Sequence, residues 1–374
     1  MSLQSSTSTS DSKSSFNKYE NRGLSGLANL GNSCYLNSCM QVLSHTYEFN
    51  DFLNSGEYKK RLKKVADSII LLEWDKLREL IWSKNCTVAP HGFVKNIRRV
   101  AQIKKRDIFT GYDQNDVQEF LLFMIDSFHN ALSREVDMVI NGNLQNDTDK
   151  LAVTCYTMMK NMYKKEYSEI LKIFYGIHVS EIISNTTNET LSARPEPFSV
   201  LSLSIPQPMP TNSTNQNKIP SLYDCFDLYC ESEILSHANG NAWFNDETKQ
   251  KEDVQRKISF WSLPNVLIID LKRWSTMNLN KNQGRIDIPL HNADFSKYVK
   301  GYNPVHMFMI YMLYVIMVVV RVVVIILQTL KMRIINGIFL MILPLTKLKK
   351  NRLYPHNHIV CFTAKKYNIT YKLY

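Results

Sequence analysis

The chain has 374 residues, 44% of them hydrophobic, a globular composition that supports one large domain or two ordinary ones and excludes a wholly disordered protein. Its seven cysteines, odd in number and none in a C-x-x-C pair, exclude a disulfide framework and point to a reducing compartment, cytosol or nucleus. A formal net charge of +11 invites a nucleic-acid partner. However, Lys59 to Lys64 and Arg98 to Arg106 alternate with the helical spacing of Ile69, Leu72, Trp74, Leu77, Leu80 and Ile81 and with acidic residues, the pattern of a solvated helix face. No nucleic-acid motif accompanies them, so no nucleic-acid partner is expected.

Residues 1–22 are rich in serine and threonine with almost nothing apolar, which predicts a disordered tail without the apolar core of a signal peptide. Gly26 to Gln41 reads GLANLGNSCYLNSCMQ. Gly26, Asn29, Gly31 and Asn32 favour turns, whereas Tyr35, Leu36, Met40, Val42 and Leu43 recur at helical spacing, so a helix is expected to begin near Ser33 or Cys34. A thiol at a helix N-terminus meets unpaired amides and the positive end of the helix dipole, which favour thiolate and suit a nucleophile. A lone cysteine beside a helix is also a common core filler.

The string resembles the cysteine box of the ubiquitin-specific proteases, a papain-like family with the pattern GLxNLGNTCYxNSxLQ; Ser33 stands for Thr and Met40 for Leu. The resemblance implies that Cys34 is the nucleophile and that Asn29, assisted by backbone amides, donates its side-chain amide to the oxyanion. Asn32 and Asn37 read as loop and helix-packing residues. Further on, GYDQNDVQEFLLFMIDSF, Gly111 to Phe128, predicts an N-capped amphipathic helix. Its QNDVQEF resembles the family's second box, QQDxxEF, which implies that Gln114 and Asp116 hold the extended C-terminal tail of ubiquitin and that Glu119 supports the same channel.

Tyr156 to Pro208 is similar to the family's approach to the fingers and its first long palm strands. Members with a zinc ribbon carry C-x-x-C pairs where this chain has Ser184 with Thr187 and Asn245 with Thr248, none a usual zinc ligand, so no metal or other cofactor is expected. Cys225 and Cys230 read as packing residues. Ile258 to Trp274 runs apolar like a central strand and resembles the family's LPxVLIxHLKRF segment, with Asp270 in place of His. Resemblance covers Gly23 to about Val299. It implies an α+β, papain-like hand over residues 23–302, with a helical thumb, β-fingers at about 176–253 and a β palm, whose partners are ubiquitin and ubiquitinated proteins.

After Tyr302 the resemblance stops. Where the family shows YDLYAV, a GGHYT-like His box and WYxFND, the chain reads VHMFMIYMLYVIMVVVRVVVIILQTL. Residues 307–327 are long and apolar enough for a membrane span, with Arg321 costing about 2.5–3.5 kcal/mol. A span there would destroy the fold specified upstream, so a membrane is not expected. Reading the third base of each codon with the first two of the next gives another account. Met309 with Ile310 then forces Asp, and Phe308 to Tyr314 permits YDLYAV. Arg321 to Leu327 permits GGGHYT, Asn336 to Leu343 permits WYFFNDS, and Asn357 to Lys365 permits SYCLFYRK. Residues 303–374 therefore read as a frame-shifted end of the same domain, which leaves the palm incomplete. None of the nine histidines, His45 to His358, stands in a catalytic position of the family. The resemblance implies a thiol-dependent deubiquitinase that hydrolyses the peptide or isopeptide bond after the C-terminal glycine of ubiquitin; the alternative, because the His box is missing, is a ubiquitin-binding pseudoenzyme, and the written chain is expected to bind better than it cuts. Sequencing of the transcript is expected to reveal an inserted or deleted base, or an unrecognised intron, between the codons of Tyr302 and Phe308; an uninterrupted written frame would refute the shift.

Overall fold

The computed structural model describes residue 19, residues 22–302 apart from 112, 114, 207–218, 274–281, 283 and 290–292, and the backbone of 308–316, 334–335, 338–339 and 359–365. The first part is helical. A two-residue strand β1 (Gly26–Leu27) leads through the cysteine loop into α1 (Cys34–Ser44), followed by α2 (Tyr47–Asn54), α3 (Asp67–Ser83), β2 (Thr87–Val88), α4 (His91–Ile103) and α5 (Val117–Leu132). α3 buries Ile70, Leu71, Trp74, Leu77 and Ile81, one stripe at helical spacing. α5 lies at the centre of this layer with Phe120, Leu121, Met124 and Phe128 fully buried, and the Phe128 ring stands 5.1 Å from that of Phe49. β2 pairs parallel with β1, Gly26 opposite Thr87, and so fixes the loop that precedes Cys34.

Two further helices, α6 (Asp147–Tyr163) and α7 (Glu169–Phe174), lead to the sheets. β3 (Gly176–Ser184) and β4 (Thr190–Phe198) form a long hairpin, and β5 (Val200–Ser204) drops into a second sheet, followed by α8 (Leu222–Tyr229). β6 (Glu233–Leu235), the small hairpin β7 (Trp243–Asn245) and β8 (Gln250–Glu252), and β9 (Val254–Ser262) return to the first sheet. Its strand order is β4-β3-β9-β6, so these fingers extend beyond Asp253 to the end of β9. β10 (Val266–Lys272), β11 (Ala293–Asp294), β12 (Phe308–Ile316) and β13 (Ile359–Lys365) join β5 in the palm. The palm order is β11-β12-β13-β10-β5, with β10 parallel to β5 and antiparallel to β13. Cys225 is fully buried beside Phe226, and Cys230 half-buried, as packing residues.

The fold is the expected α+β hand, with two departures. Tyr19 lies within the stretch expected to be a disordered tail, yet it is 6% exposed and stacks on Tyr47 at 4.5 Å. An isolated aromatic in polar sequence has no periodicity that announces a binding site for it elsewhere in the chain. The palm is not left open, because β12 and β13 supply two of its five strands. Both come from the stretches whose shifted frame permits family strands, and in the written frame FMIYMLYVI is itself an apolar run able to pair as a buried strand. Of the membrane alternative, 307–327, residues 308–316 form a strand and the rest lie outside the described residues; among the described residues no helix is long and apolar enough to cross a membrane.

The tips that could have been zinc knuckles are closed by polar side chains. Ser184 Oγ accepts from the backbone N–H groups of Thr186 and Thr187, both at 3.2 Å. Asn245 Oδ1 accepts from Glu247 N at 2.9 Å, and Asn245 Nδ2 and Thr248 Oγ1 donate to Glu252 Oε1 at 2.9 and 2.7 Å. Such turns hold their own shape without thiolate ligands. Purified protein is therefore expected to unfold at the same temperature with and without EDTA. Metal analysis that found tightly held zinc near one equivalent per chain would contradict this.

Candidate active site

The loop before Cys34 is held by one amide. Asn29 Oδ1 accepts from Gly31 N at 3.1 Å, Ser33 N at 3.2 Å and Ser33 Oγ at 2.9 Å, while Ser33 Oγ accepts from Leu30 N at 2.9 Å. The turn needs left-handed backbone at Gly31, φ +86°, and Asn32, φ +49°, which explains the choice of glycine and asparagine. Asn37 Nδ2 donates to Leu27 O and Ala28 O at 3.3 and 3.0 Å and ties α1 back to β1. Because the loop occupies Asn29 Oδ1, the two Nδ2 donors are the part of that amide left for a ligand, the half an oxyanion requires.

α1 begins at Cys34, as the periodicity predicts. The thiol is half-buried, and burial pushes its pKa above the ordinary value against the pull of the Tyr35 and Cys34 backbone amides. The helix N-terminus pulls toward thiolate as expected, and burial opposes it with the larger effect. Among the described residues no imidazole shifts this thiol. His45 bonds Gln41 O and Ser44 Oγ, His129 bonds Ser168 Oγ, His178 bonds Tyr229 OH, and His237 bonds Asp253.

The two boxes meet directly. Asn115 Nδ2 donates to Tyr35 OH at 3.0 Å, Tyr35 stands edge-on to Phe120 at 5.3 Å, and Cys39 Sγ donates to Val117 O at 3.6 Å. Asp116 is the N-cap of α5, its Oδ1 accepting from Gln118 N and Glu119 N at 2.8 and 3.0 Å. This geometry gives Asp116 a capping role beside the tail-binding role implied by resemblance. Glu119 is exposed in the first turn, and Gln114 lies outside the described residues. Motif reading missed Gln118, whose Nε2 donates to Ser202 Oγ at 3.2 Å and joins α5 to β5. Only the packing of α5 against the palm could have revealed it. Ser202 lines a cleft of about 410 Å³ between palm and fingers, together with Ser204, Tyr229, Glu233, Arg256 and Lys272.

A family model described as ubiquitin carboxyl-terminal hydrolase matches residues 25–319. The chain belongs to this family. The match runs into β12, past the end of the motif resemblance near Val299. The chain is 30% identical to ubiquitin carboxyl-terminal hydrolase Usp2 of Drosophila melanogaster over 76% of its own length and 28% of the relative's. It is 29% identical to ubiquitin carboxyl-terminal hydrolase 2 of Bos taurus over 79% and 47%, so it spans less than half of either relative. Its fold is similar to that in a solved SAGA Ubp8/Sgf11/Sus1/Sgf73 DUB module bound to ubiquitin aldehyde, with a TM-score of 0.60 at 19% identity, covering 93% of this chain and 70% of that one. A second such module, bound to monoubiquitin, gives a TM-score of 0.55 at 21% identity over 79% and 58%.

The balance at Cys34 fixes a pH dependence. A thiol raised by burial stays protonated through neutral pH and ionises only above the free-cysteine value of about 8.5. Alkylation of Cys34 by iodoacetamide, followed by peptide mass spectrometry, is therefore expected to be slow at pH 7 and to rise with a midpoint above that value. A plateau reached below pH 7 would reveal a base that activates the thiol.

Proposed function

We propose that this chain carries the catalytic domain, residues 23–302 and its continuation, of a cysteine-type deubiquitinase. In its histidine-bearing form it hydrolyses the peptide or isopeptide bond after the C-terminal glycine of ubiquitin. The observation that carries the reading is the docking of the Cys34 loop and α1 onto α5 through Tyr35, Asn115 and Val117, in a chain that belongs to the hydrolase family. Cys34 attacks the carbonyl, the Asn29 amide and backbone N–H groups stabilise the oxyanion, and water releases the acyl-enzyme. Gln114, Asp116 and Glu119 hold the basic ubiquitin tail.

The partners are ubiquitin and ubiquitinated proteins, with no nucleic acid or membrane and in cytosol or nucleus. The basic thumb supports that exclusion, since Lys60 pairs with Glu57, Arg61 with Glu169 and Lys104 with Asp67. A second reading applies to the chain as written. It is a ubiquitin-binding protein of low turnover, because the family's His box is missing from the written sequence, consistent with residues 303–374 being out of frame.

With the frame restored, the protein is expected to cleave a ubiquitin C-terminal fluorogenic amide, and Cys34→Ala to abolish cleavage. The written chain is expected to bind ubiquitin in calorimetry but to turn over about 10²- to 10⁴-fold more slowly, the usual contribution of a general base. Turnover that survives Cys34→Ala would sink the assignment.

A further inference from the structure

Tyr19 and residues 22–25 lie against the end of α1 opposite Cys34. The Tyr19 ring lies flat on Tyr47 at 4.5 Å and edge-on to Trp82 at 5.2 Å, and its hydroxyl donates to Asp51 while accepting from Asn54 Nδ2. Arg22 donates to Trp82 O at 3.4 Å. Gly23, φ +69°, sits so close that a Cβ there would lie 2.7 Å from the Trp82 ring. Ser25 Oγ donates to Ile81 O at 2.8 Å, and Ser25 O accepts from Gln41 Nε2 at 2.8 Å. Trp82 completes the connection: its Nε1–H donates at 3.0 Å to Ser44 O, the last residue of α1, where a helix carbonyl has no intrahelical donor. The His45 ring that follows is tilted against Trp82 at 5.4 Å.

We infer that Tyr19 and residues 22–25 brace the nucleophile helix, with Tyr19 as a positioning residue that acts on Cys34 through Trp82 and the C-terminus of α1. The inference rests on the reading of Cys34 as the nucleophile. An 11-residue helix held at Gln41 and Ser44 keeps its axial position and rotation, and these set how deeply Cys34 is buried at its other end. Without the stack, Trp82 loses the ring that covers it, the last turn of α1 loosens, and Cys34 gains water.

The test uses the full chain as written and reads each thiol by peptide mass spectrometry after brief iodoacetamide treatment. Cys86 is exposed and reports reagent activity, whereas Cys155 and Cys225 are buried outside the helical layer and report global unfolding. Tyr19→Ala is expected to speed alkylation of Cys34 about three- to tenfold, the opening that loss of one aromatic pair permits, with Cys155 and Cys225 still protected. Tyr19→Phe, which keeps the stack, is expected to stay within about twofold of the unaltered chain. An unchanged Cys34 rate in Tyr19→Ala, or equal acceleration of Cys155 and Cys225, overturns the inference. Failure of a ubiquitin C-terminal electrophile to label Cys34 in the unaltered chain sinks the nucleophile reading alone, because iodoacetamide reads exposure of the thiol whatever its chemistry.

Discussion

β10 is buried on both faces, and the hand depends on it. Val266 and Ile268 belong to the core under the thumb helices, whereas Leu267, Ile269 and Leu271 belong to the core between the palm sheet and α8. Successive side chains of a strand point to opposite faces, so an unbroken apolar run can serve two cores at once. Each such side chain contributes about 1.5–3 kcal/mol on burial, and shifting the strand by one residue would exchange all of them between faces. This register sets β5 beside β10, and β5 presents Ser202 to Gln118 on α5.

At the site, two opposing effects of position meet on one sulfur. A helix N-terminus is worth about 0.3–1 kcal/mol to an exposed anion, whereas desolvation of a buried thiolate costs more, and here desolvation decides the direction. Burial therefore holds the Cys34 thiol above its ordinary pKa against the pull of the helix amides. Activation has to come from a base, and in the proposed reading that base belongs to the part of the chain where the frame departs from the family. In that reading the nucleophile, the oxyanion donor and the tail-binding residues all precede residue 303, and only the base lies after it.

The same local device recurs at the cysteine loop and at the finger tips. Asn29, Ser184 and Asn245 each use a side-chain oxygen to collect backbone N–H groups a few residues ahead. These turns close on short-range hydrogen bonds and need no distant partner or metal ion to hold their shape. The fingers can consequently keep the hairpin β7–β8 where relatives with a ribbon use thiolates.

By itself the sequence determined what short-range patterns can encode. These are the start of α1 at Cys34, the capped start of α5, the apolar strand β10, the lack of thiolates at the four knuckle positions and the α+β hand that the boxes imply. Turn chemistry, helical spacing and caps act within a few residues, so they are legible along the chain. Only the tertiary structure decided that Tyr19 leaves the polar tail for an aromatic site built by α2 and α3, and that Gln118 reaches Ser202. It also decided that β12 and β13 join the palm and that burial raises the Cys34 thiol against the pull of the helix amides. Each of these depends on surfaces brought together from residues far apart, and desolvation in particular is a property of the surrounding volume rather than of neighbours in sequence.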